Sequence, residues 1–345
     1  MWYETFIDNN LIPRPILQLL IRYFLHNKAN TLKHQIDSSF NSTISHFIDY
    51  YSSGEIANET NSANQQHYEV PTEFFEVILG PRLKYSACVW SCESNKIDVA
   101  ENKTLAMYCD LSKIKSNQTI LDLGCGWGSL GLYIAEKYPS NNVICLSNSK
   151  TQKSFIDKKI EEKQLRNIKV ITEDINSYSP NTKFDRILSI EMFEHLKNVQ
   201  AMFSRINDWL NPEGLLLLQT FSHKQIPHTF HDRNHSWMAK HFFTSGSMPS
   251  HTIFKRILPV KSLVFIDSWS YKGTHYKKTL NEWLINLESN KKKCIDILAS
   301  HPYPISPEIQ YNRWKMFLLI CIELFGFNEG NEWLISNHLI KKVDR

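Results

Sequence analysis

At 345 residues the chain is long enough to bury a sizeable core in one large domain or two. Hydrophobic residues make up 42% and charged residues 21%, which excludes global disorder. The 39 basic residues barely exceed the 35 acidic ones, and no basic stripe interleaved with aromatics accompanies them, so no nucleic-acid partner is expected.

The seven cysteines (Cys88, Cys92, Cys109, Cys125, Cys145, Cys294 and Cys321) are odd in number and irregularly spaced. They form no CxxC pair and no Cys/His ligand set, so the expectation is reduced thiols and no metal. There is no charged-then-apolar leader, and no apolar run reaches the ~18 residues of a membrane helix. The chain reads as cytoplasmic, without stable membrane insertion. The Asn-x-Ser/Thr triplets, for example at Asn41 and Asn58, then carry no message.

Residues 10–60 look helical. Pro13 and Pro15 stand where a helix starts, ahead of Ile16, Leu17, Leu19, Leu20, Ile21, Phe24 and Leu25. A packed helix and a membrane-surface helix both fit that pattern. Residues 52–65 are polar and read as a linker or loop.

A β-α-β alternation follows. Thr119–Leu123 reads as a first strand, Leu130–Lys137 as a helix, Asn142–Leu146 as a second strand and Lys150–Gln164 as a charged helix. Ile168–Thr172 and Phe184–Ile190 read as strands three and four, Val199–Leu210 as a helix, and Gly214–Thr220 as a fifth strand. Lys261–Trp269 and Glu332–Ile340 are candidates for two further strands, and Leu280–Leu298 and Arg313–Phe325 for helices. This order predicts an α/β fold, a Rossmann-like and mostly parallel sheet with right-handed crossovers and its ligands at the carboxyl ends of the strands.

The strongest signal is Thr119-Ile-Leu-Asp-Leu-Gly-Cys-Gly-Trp-Gly-Ser-Leu-Gly131. Glycines let a strand-to-helix turn approach a ligand, and the helix start then offers unpaired N–H groups. The spacing Gly126-x-Gly-x-x-Gly131 formally fits a dinucleotide fingerprint, which wants an acid at the end of strand two for the ribose. Strand two instead ends Cys145-Leu-Ser-Asn-Ser-Lys150, with no carboxylate. The form Asp-Leu-Gly-x-Gly-x-Gly after an apolar strand fits S-adenosylmethionine, with Gly124 and Gly126 in the turn. Asp122 reads either as a cap of the turn or as an organiser of the cofactor pocket.

Glu191, Glu194 and His195 follow strand four, where a parallel sheet presents side chains to its ligand; a helix start with Glu in its first turn is the plainer reading. Residues 222–260 carry His223, His228, His231, His235, Trp237, His241, Phe242 and Phe243. Their spacings fit no standard metal-ligand set, and a segment covering an acceptor pocket is the expectation.

Five stretches together are similar to the cyclopropane-fatty-acid synthase superfamily of methyltransferases and, within it, to the coclaurine N-methyltransferase group. They are Gln66-His-Tyr-Glu-Val-Pro71 with Leu83-Lys-Tyr-Ser-Ala-Cys88; the glycine loop; Asp185-Arg-Ile-Leu-Ser-Ile-Glu-Met-Phe-Glu-His-Leu-Lys197; Phe221-Ser-His-Lys224 with Gly246-Ser-Met-Pro249; and Phe325-Gly-Phe-Asn-Glu-Gly-Asn-Glu-Trp333. The likeness runs from Leu11 to Lys342. It implies a Rossmann-like class I S-adenosylmethionine-dependent methyltransferase fold, with a seven-stranded sheet, N-terminal helices and helical covering segments.

By position, the resemblance implies that Tyr85 and Ser86 contact the amino-acid end of the cofactor and that Gly124 and Gly126 line its backbone. Asn148 and Gln152 are the candidates for the ribose, and Asp174 and Ile175 for the adenine, although Asp174 also reads as a solvated turn carboxylate. On the acceptor side, Tyr68 and Glu69 match residues of the amine methylases, and Glu194 and His195 match a base and its orienting partner, with Glu191 beside them. Residues 1–65 are then an N-terminal helical extension with its linker. Residues 66–345 are the methyltransferase domain, with covering segments at 222–260 and 275–312.

The implied partner is a small-molecule amine, in a monomer or a homodimer. A cyclopropane-fatty-acyl-phospholipid synthase or lipid C-methyltransferase is the alternative. Such lipid enzymes bind bicarbonate through Cys, Glu, His and Tyr. Cys88 and Glu194 match two of these, whereas Gln219 falls at the His position and Met316 or Phe317 near the Tyr position. His223 lies nearby. A non-catalytic cofactor-binding protein is disfavoured by the intact Gly124, Gly126, Glu194 and His195.

Overall fold

The computed structural model describes residues 3–57, 70–91, 96–230, 236–243, 246–258, 260–301 and 303–343. The chain enters through helices α1 (Glu4–Asp8) and α2 (Arg14–Tyr50), followed by α3 (Thr72–Ile78) and α4 (Ile97–Leu111). The alternating part comprises β1 (Thr119–Leu123), α5 (Ser129–Lys137), β2 (Asn142–Ser147), α6 (Lys150–Glu162), β3 (Ile168–Thr172), β4 (Phe184–Ile190), α7 (Val199–Trp209) and β5 (Leu210–His223). A short hairpin, β6 (His228–Thr229) with β7 (Ser247–Met248), flanks α8 (Trp237–His241) and is followed by α9 (Ile253–Ile257). The last part is β8 (Leu263–Lys272), α10 (Thr274–Ser289), α11 (Lys291–Ala299), α12 (Pro307–Gly326) and β9 (Trp333–Lys342).

The seven long strands form one sheet in the order β3-β2-β1-β4-β5-β9-β8. The first five run parallel, β9 runs against them, and β8, antiparallel to β9, runs in their direction again. The chain order reverses between β1 and β4, and a doubly wound sheet opens its ligand crevice at such a point. Continuous apolar runs make the central strands, since a parallel strand covered by helices on both faces has no wet side. In β1, Leu121 and Leu123 enter one core with α7, while Ile120 enters another with α4 and α5.

A third core lies beyond the carboxyl ends of the strands. Trp127 after β1 and Phe221 in β5 pack there with α3, α10 and α12. Helix α2 spans two cores. Its first half supplies Leu17, Ile21, Leu25 and Leu32 to this cap, and its second half supplies Ile44 and Phe47 to the α7 side. Ser39 interrupts it with φ −145°, ψ 25°, where Ser38 and Ser39 hydroxyls bond back to the carbonyls of His34 and Gln35. That competition with the backbone ladder accounts for the kink.

Strand β5 is longer than its apolar run predicts. Its antiparallel pairing with β9 continues to His223 opposite Trp333, which carries the strand past Thr220. The single helix expected over Leu280–Leu298 is divided at Asn290 into α10 and α11. Helices α3 and α4 are not announced by the periodicity.

Candidate active site

The turn after β1 is left-handed at Gly124 (φ +79°) and Gly126 (φ +53°), conformations that favour a residue without Cβ. A Cβ on Gly124 would meet Met192 Cγ at 2.6 Å, whereas one on Gly126 would meet nothing within 4 Å. Gly126 is thus the floor of an open cradle, and Gly124 is where the turn and the segment after β4 close on each other. Asp122 does not face that cradle. Its Oδ2 accepts the Gly131 N–H at 3.0 Å, binding the loop to α5, and burial raises its carboxyl to about 7.

The other residues expected to meet the cofactor lie after β2, after β3 and between α3 and α4. Gln152 is buried; its Oε1 accepts the Ser147 hydroxyl at 2.6 Å, and its Nε2 has no hydrogen-bond partner. A buried unsatisfied amide is costly, and a ligand hydroxyl would satisfy it. Asn148 is exposed at the end of β2. Asp174 Oδ1 accepts the Asn176 N–H at 2.7 Å, forming the turn after β3, and Ile175 is buried with the β1 and β2 side chains. Tyr85 packs its ring against Phe75 and Trp283, and the Ser86 hydroxyl accepts from Lys84 Nζ at 2.7 Å. The open floor at Gly126 and the orphaned Gln152 amide fit a bound nucleoside such as S-adenosylmethionine.

The lining of a cavity of about 1040 Å³ includes Tyr85, Glu191, His195 and Tyr276. Glu191 follows β4 with φ +53°, a strained backbone for a side chain of its size. Three donors fix its carboxylate: the Ala87 N–H at 2.9 Å and Gln219 Nε2 at 3.2 Å on Oε1, and the Tyr276 hydroxyl at 2.9 Å on Oε2. Burial raises the Glu191 carboxyl above its ordinary range, opposed by the Lys84 charge and these hydrogen bonds. The network continues inward: Gln219 Oε1 accepts the Tyr108 hydroxyl at 2.8 Å, and the Lys84 ammonium lies over the Tyr108 ring at 5.3 Å. Tyr108 and Tyr276 lie in none of the quoted motifs, and the motif that contains Lys84 assigns it no role; only the fold brings the three to this network.

His195 lines the same cavity and stacks on Phe243, with centroids 6.2 Å apart. Burial lowers its imidazole to about 4, which leaves it neutral at neutral pH. Glu194 points elsewhere. Its Oε1 accepts the Phe221 N–H at 2.7 Å within the sheet, and its Oε2 is buried without a partner. Burial, followed by the nearby Glu191 charge, raises the Glu194 carboxyl well above the usual range. Among the described residues no hydrogen bond joins Glu194 to His195, and it is Glu191 that lines the cavity with His195.

Tyr68 and Glu69 lie outside the described residues, as do His231 and His235. Of the remaining histidines in the covering segment, His223 bonds Glu332 at 3.0 Å, His241 lies 3.3 Å from Arg313, and His228 faces the cavity. Among the described residues no three His, Cys, Asp or Glu side chains group as a metal site. Met316 and Phe317 also line the cavity.

Residues 56–333 match the mycolic acid cyclopropane synthetase family. The chain is 32% identical over 344 residues to (S)-coclaurine N-methyltransferase of Thalictrum flavum subsp. glaucum, covering 97% of this chain and 94% of that one. A crystal structure of coclaurine N-methyltransferase bound to N-methylheliamine and S-adenosylhomocysteine superposes with a TM-score of 0.90 at 30% identity, over 98% of both chains. A cyclopropane synthase from Mycobacterium tuberculosis shares the fold, with a TM-score of 0.71 at 24% identity over 84% of this chain and all of that one. The fold, the glycine cradle and these likenesses agree: the chain belongs to the mycolic acid cyclopropane synthetase family, as an S-adenosylmethionine-dependent methyltransferase.

Proposed function

We propose that the chain transfers the methyl group of S-adenosylmethionine to the nitrogen of a small-molecule amine of the alkaloid kind. The observation that carries this reading is a carboxylate, Glu191, held by three donors at the wall of a largely apolar cavity that His195 also lines. A carboxylate in low-dielectric surroundings attracts a cationic amine, and the faces of Tyr85, Tyr276, Phe221, Phe243 and Trp283 favour the same charge.

When bound, the cofactor supplies a sulfonium methyl, so the protein's task is alignment and proton handling. The amine reacts only with its lone pair free. Glu191, raised by burial, is the stronger base of the pair and takes the amine proton onto a carboxylate oxygen. His195, held down to about 4, stays neutral and offers a ring nitrogen to orient the amine N–H. Tyr68 and Glu69, which the resemblance assigns to the acceptor, belong to this proposal on sequence alone. So do the cofactor contacts of Tyr85, Ser86, Asn148, Gln152, Asp174 and Ile175.

The lipid alternative fits less well. Gln219 stands where those enzymes place a histidine, and its amide is engaged at both ends, by the Tyr108 hydroxyl on Oε1 and by Glu191 on Nε2. The test is tritium-methyl transfer from labelled S-adenosylmethionine to a panel of tetrahydroisoquinolines, aryl-alkyl amines and unsaturated phospholipid vesicles. Label in an amine is expected; label in lipid overturns the reading.

A further inference from the structure

A positive charge is buried behind Glu191. Lys84, in the segment between α3 and α4, is 2% exposed. Its Nζ donates to the Ser86 hydroxyl at 2.7 Å and to the Ala87 carbonyl at 2.6 Å, and lies 5.3 Å from the centre of the Tyr108 ring. Among the described residues no carboxylate pairs with it directly. A charge taken out of water without a touching counter-ion is costly to keep.

Two routes run from this ammonium to one oxygen of Glu191. Ala87 accepts from Lys84 through its carbonyl and donates through its N–H to Glu191 Oε1 at 2.9 Å. Tyr108, whose ring faces the ammonium, donates its hydroxyl to Gln219 Oε1 at 2.8 Å, and Gln219 Nε2 donates to the same Glu191 oxygen at 3.2 Å. Oε2 accepts from Tyr276 alone, so one of its lone pairs stays open. A direct ion pair would occupy that site. A cation at one remove leaves it free for a proton.

The charges around the pair point the same way. Burial raises the Glu191 carboxyl, and the Lys84 charge is the strongest influence opposing it. The other titratable groups that act on Glu191 or Lys84 are Glu194, Glu101, Tyr108, Tyr276 and Cys88. All five are acids, and none brings a positive charge. Glu101 is itself held by the backbone N–H groups of Arg82 at 2.9 Å and Lys84 at 3.3 Å.

We propose that Lys84 is a positioning residue for methyl transfer: its buried ammonium is the counter-charge that keeps Glu191 ionised, delivered through the two donors on Oε1. Lys84 acts through Glu191 and not on the acceptor. A Glu191 without this charge would hold its own proton and have no place for the amine's. This rests on the reading of Glu191 as the base.

The experiment uses Lys84→Gln, which keeps a donor for Ala87 and loses the charge, and Lys84→Met, which trades the charge for an apolar chain. Protonation of Glu191 is followed by infrared spectroscopy in protein carrying isotope-labelled glutamate, the band being assigned by its loss in Glu191→Gln. Its midpoint is expected to rise by about one pH unit or more in both variants, the effect of removing a nearby opposite charge. The acid limb of kcat/KM for an amine acceptor should rise with it. Activity at neutral pH then falls about tenfold or more and returns as the pH is raised.

An unmoved midpoint in the folded variants overturns the proposal, whatever happens to the rate. So does a loss of rate that calorimetry traces to weaker S-adenosylhomocysteine binding, with the acid limb unmoved. A midpoint that rises while the acid limb stays takes Glu191, and Lys84 with it, out of the proton transfer. Failure of both variants to fold assigns Lys84 to the core and overturns the proposal equally. If no amine is methylated, the amine reading falls alone; the infrared midpoint, measured without acceptor, still decides whether Lys84 sets the charge of Glu191.

Discussion

Glu191 and Glu194 leave the end of β4 three residues apart and finish in different environments. Glu191 Oε2 accepts the Tyr276 hydroxyl at the cavity wall, and Glu194 Oε1 accepts the Phe221 N–H inside the sheet. The two carboxylates should therefore fail differently. Glu191→Gln is expected to cut kcat by roughly 100-fold or more, the usual worth of a positioned base, while S-adenosylhomocysteine binding and Tm are retained. Glu194→Ala is expected to destabilise by about 1–3 kcal/mol, because it strands the buried Phe221 N–H. Glu194→Gln should be nearly neutral. Urea denaturation and steady-state kinetics separate these outcomes, and loss of kcat in Glu194→Gln at full stability would return that residue to the chemistry.

In the proposed mechanism His195 serves as a neutral hydrogen-bond acceptor. His195→Ala should lower turnover strongly, and His195→Asn, which keeps an acceptor atom, should recover part of it. With its imidazole held to about 4, wild-type kcat/KM between pH 6 and 8 should follow the amine and Glu191. The acid limb of the profile is expected to persist in His195→Asn. Its disappearance would assign the limb to the imidazole.

Gly126 separates cofactor binding from folding. Gly126→Ala places a Cβ into open space but on a left-handed backbone. The strain costs about 1–2 kcal/mol, a modest fall in Tm. Loss of S-adenosylhomocysteine affinity should be much larger, at least tenfold by calorimetry. Unaltered affinity would move the cofactor off this floor.

His338 gives the stability a pH dependence. Its ring is fully buried, bonded to the Ser268 hydroxyl, and burial, with the His251 and Lys255 charges, lowers its imidazole to about 3 from 6.5. Below pH 6.5 the unfolded chain binds a proton that the folded chain refuses, so stability falls as pH drops toward 3. At pH 5 this term reaches about 2 kcal/mol. Asp122, raised to about 7, works in the opposite direction and is unaffected by changes at His338. His338→Gln should lose less stability than wild type between pH 7 and pH 5 in denaturant titrations. Parallel slopes would show that His338 is not the group responsible.

Much of this protein is local in its physics. The apolar runs of β1 to β4 and the glycine turn act over a few residues, so composition and spacing reveal them. Sheet order beyond β5 does not, because β9 reaches its place between β5 and β8 by pairing across more than a hundred residues. The amphipathic pattern of α2 predicts a helix but says nothing of the kink at Ser39 or of the two cores it joins.

The same division holds at the site. A strand followed by Asp-Leu-Gly-x-Gly-x-Gly determined the cofactor class, since only backbone without Cβ can make that turn. The block from Glu191 to His195 marks candidate side chains at the carboxyl end of a parallel strand. Which carboxylate lines the cavity was decided in three dimensions. Side chains one and three residues apart diverge after a strand, and Tyr276, Gln219 and Ala87 come from distant segments to hold Glu191. The part of the cavity wall that α2 supplies was likewise decided by packing, because a helix records its periodicity in sequence but not the cavity that one of its rows will face.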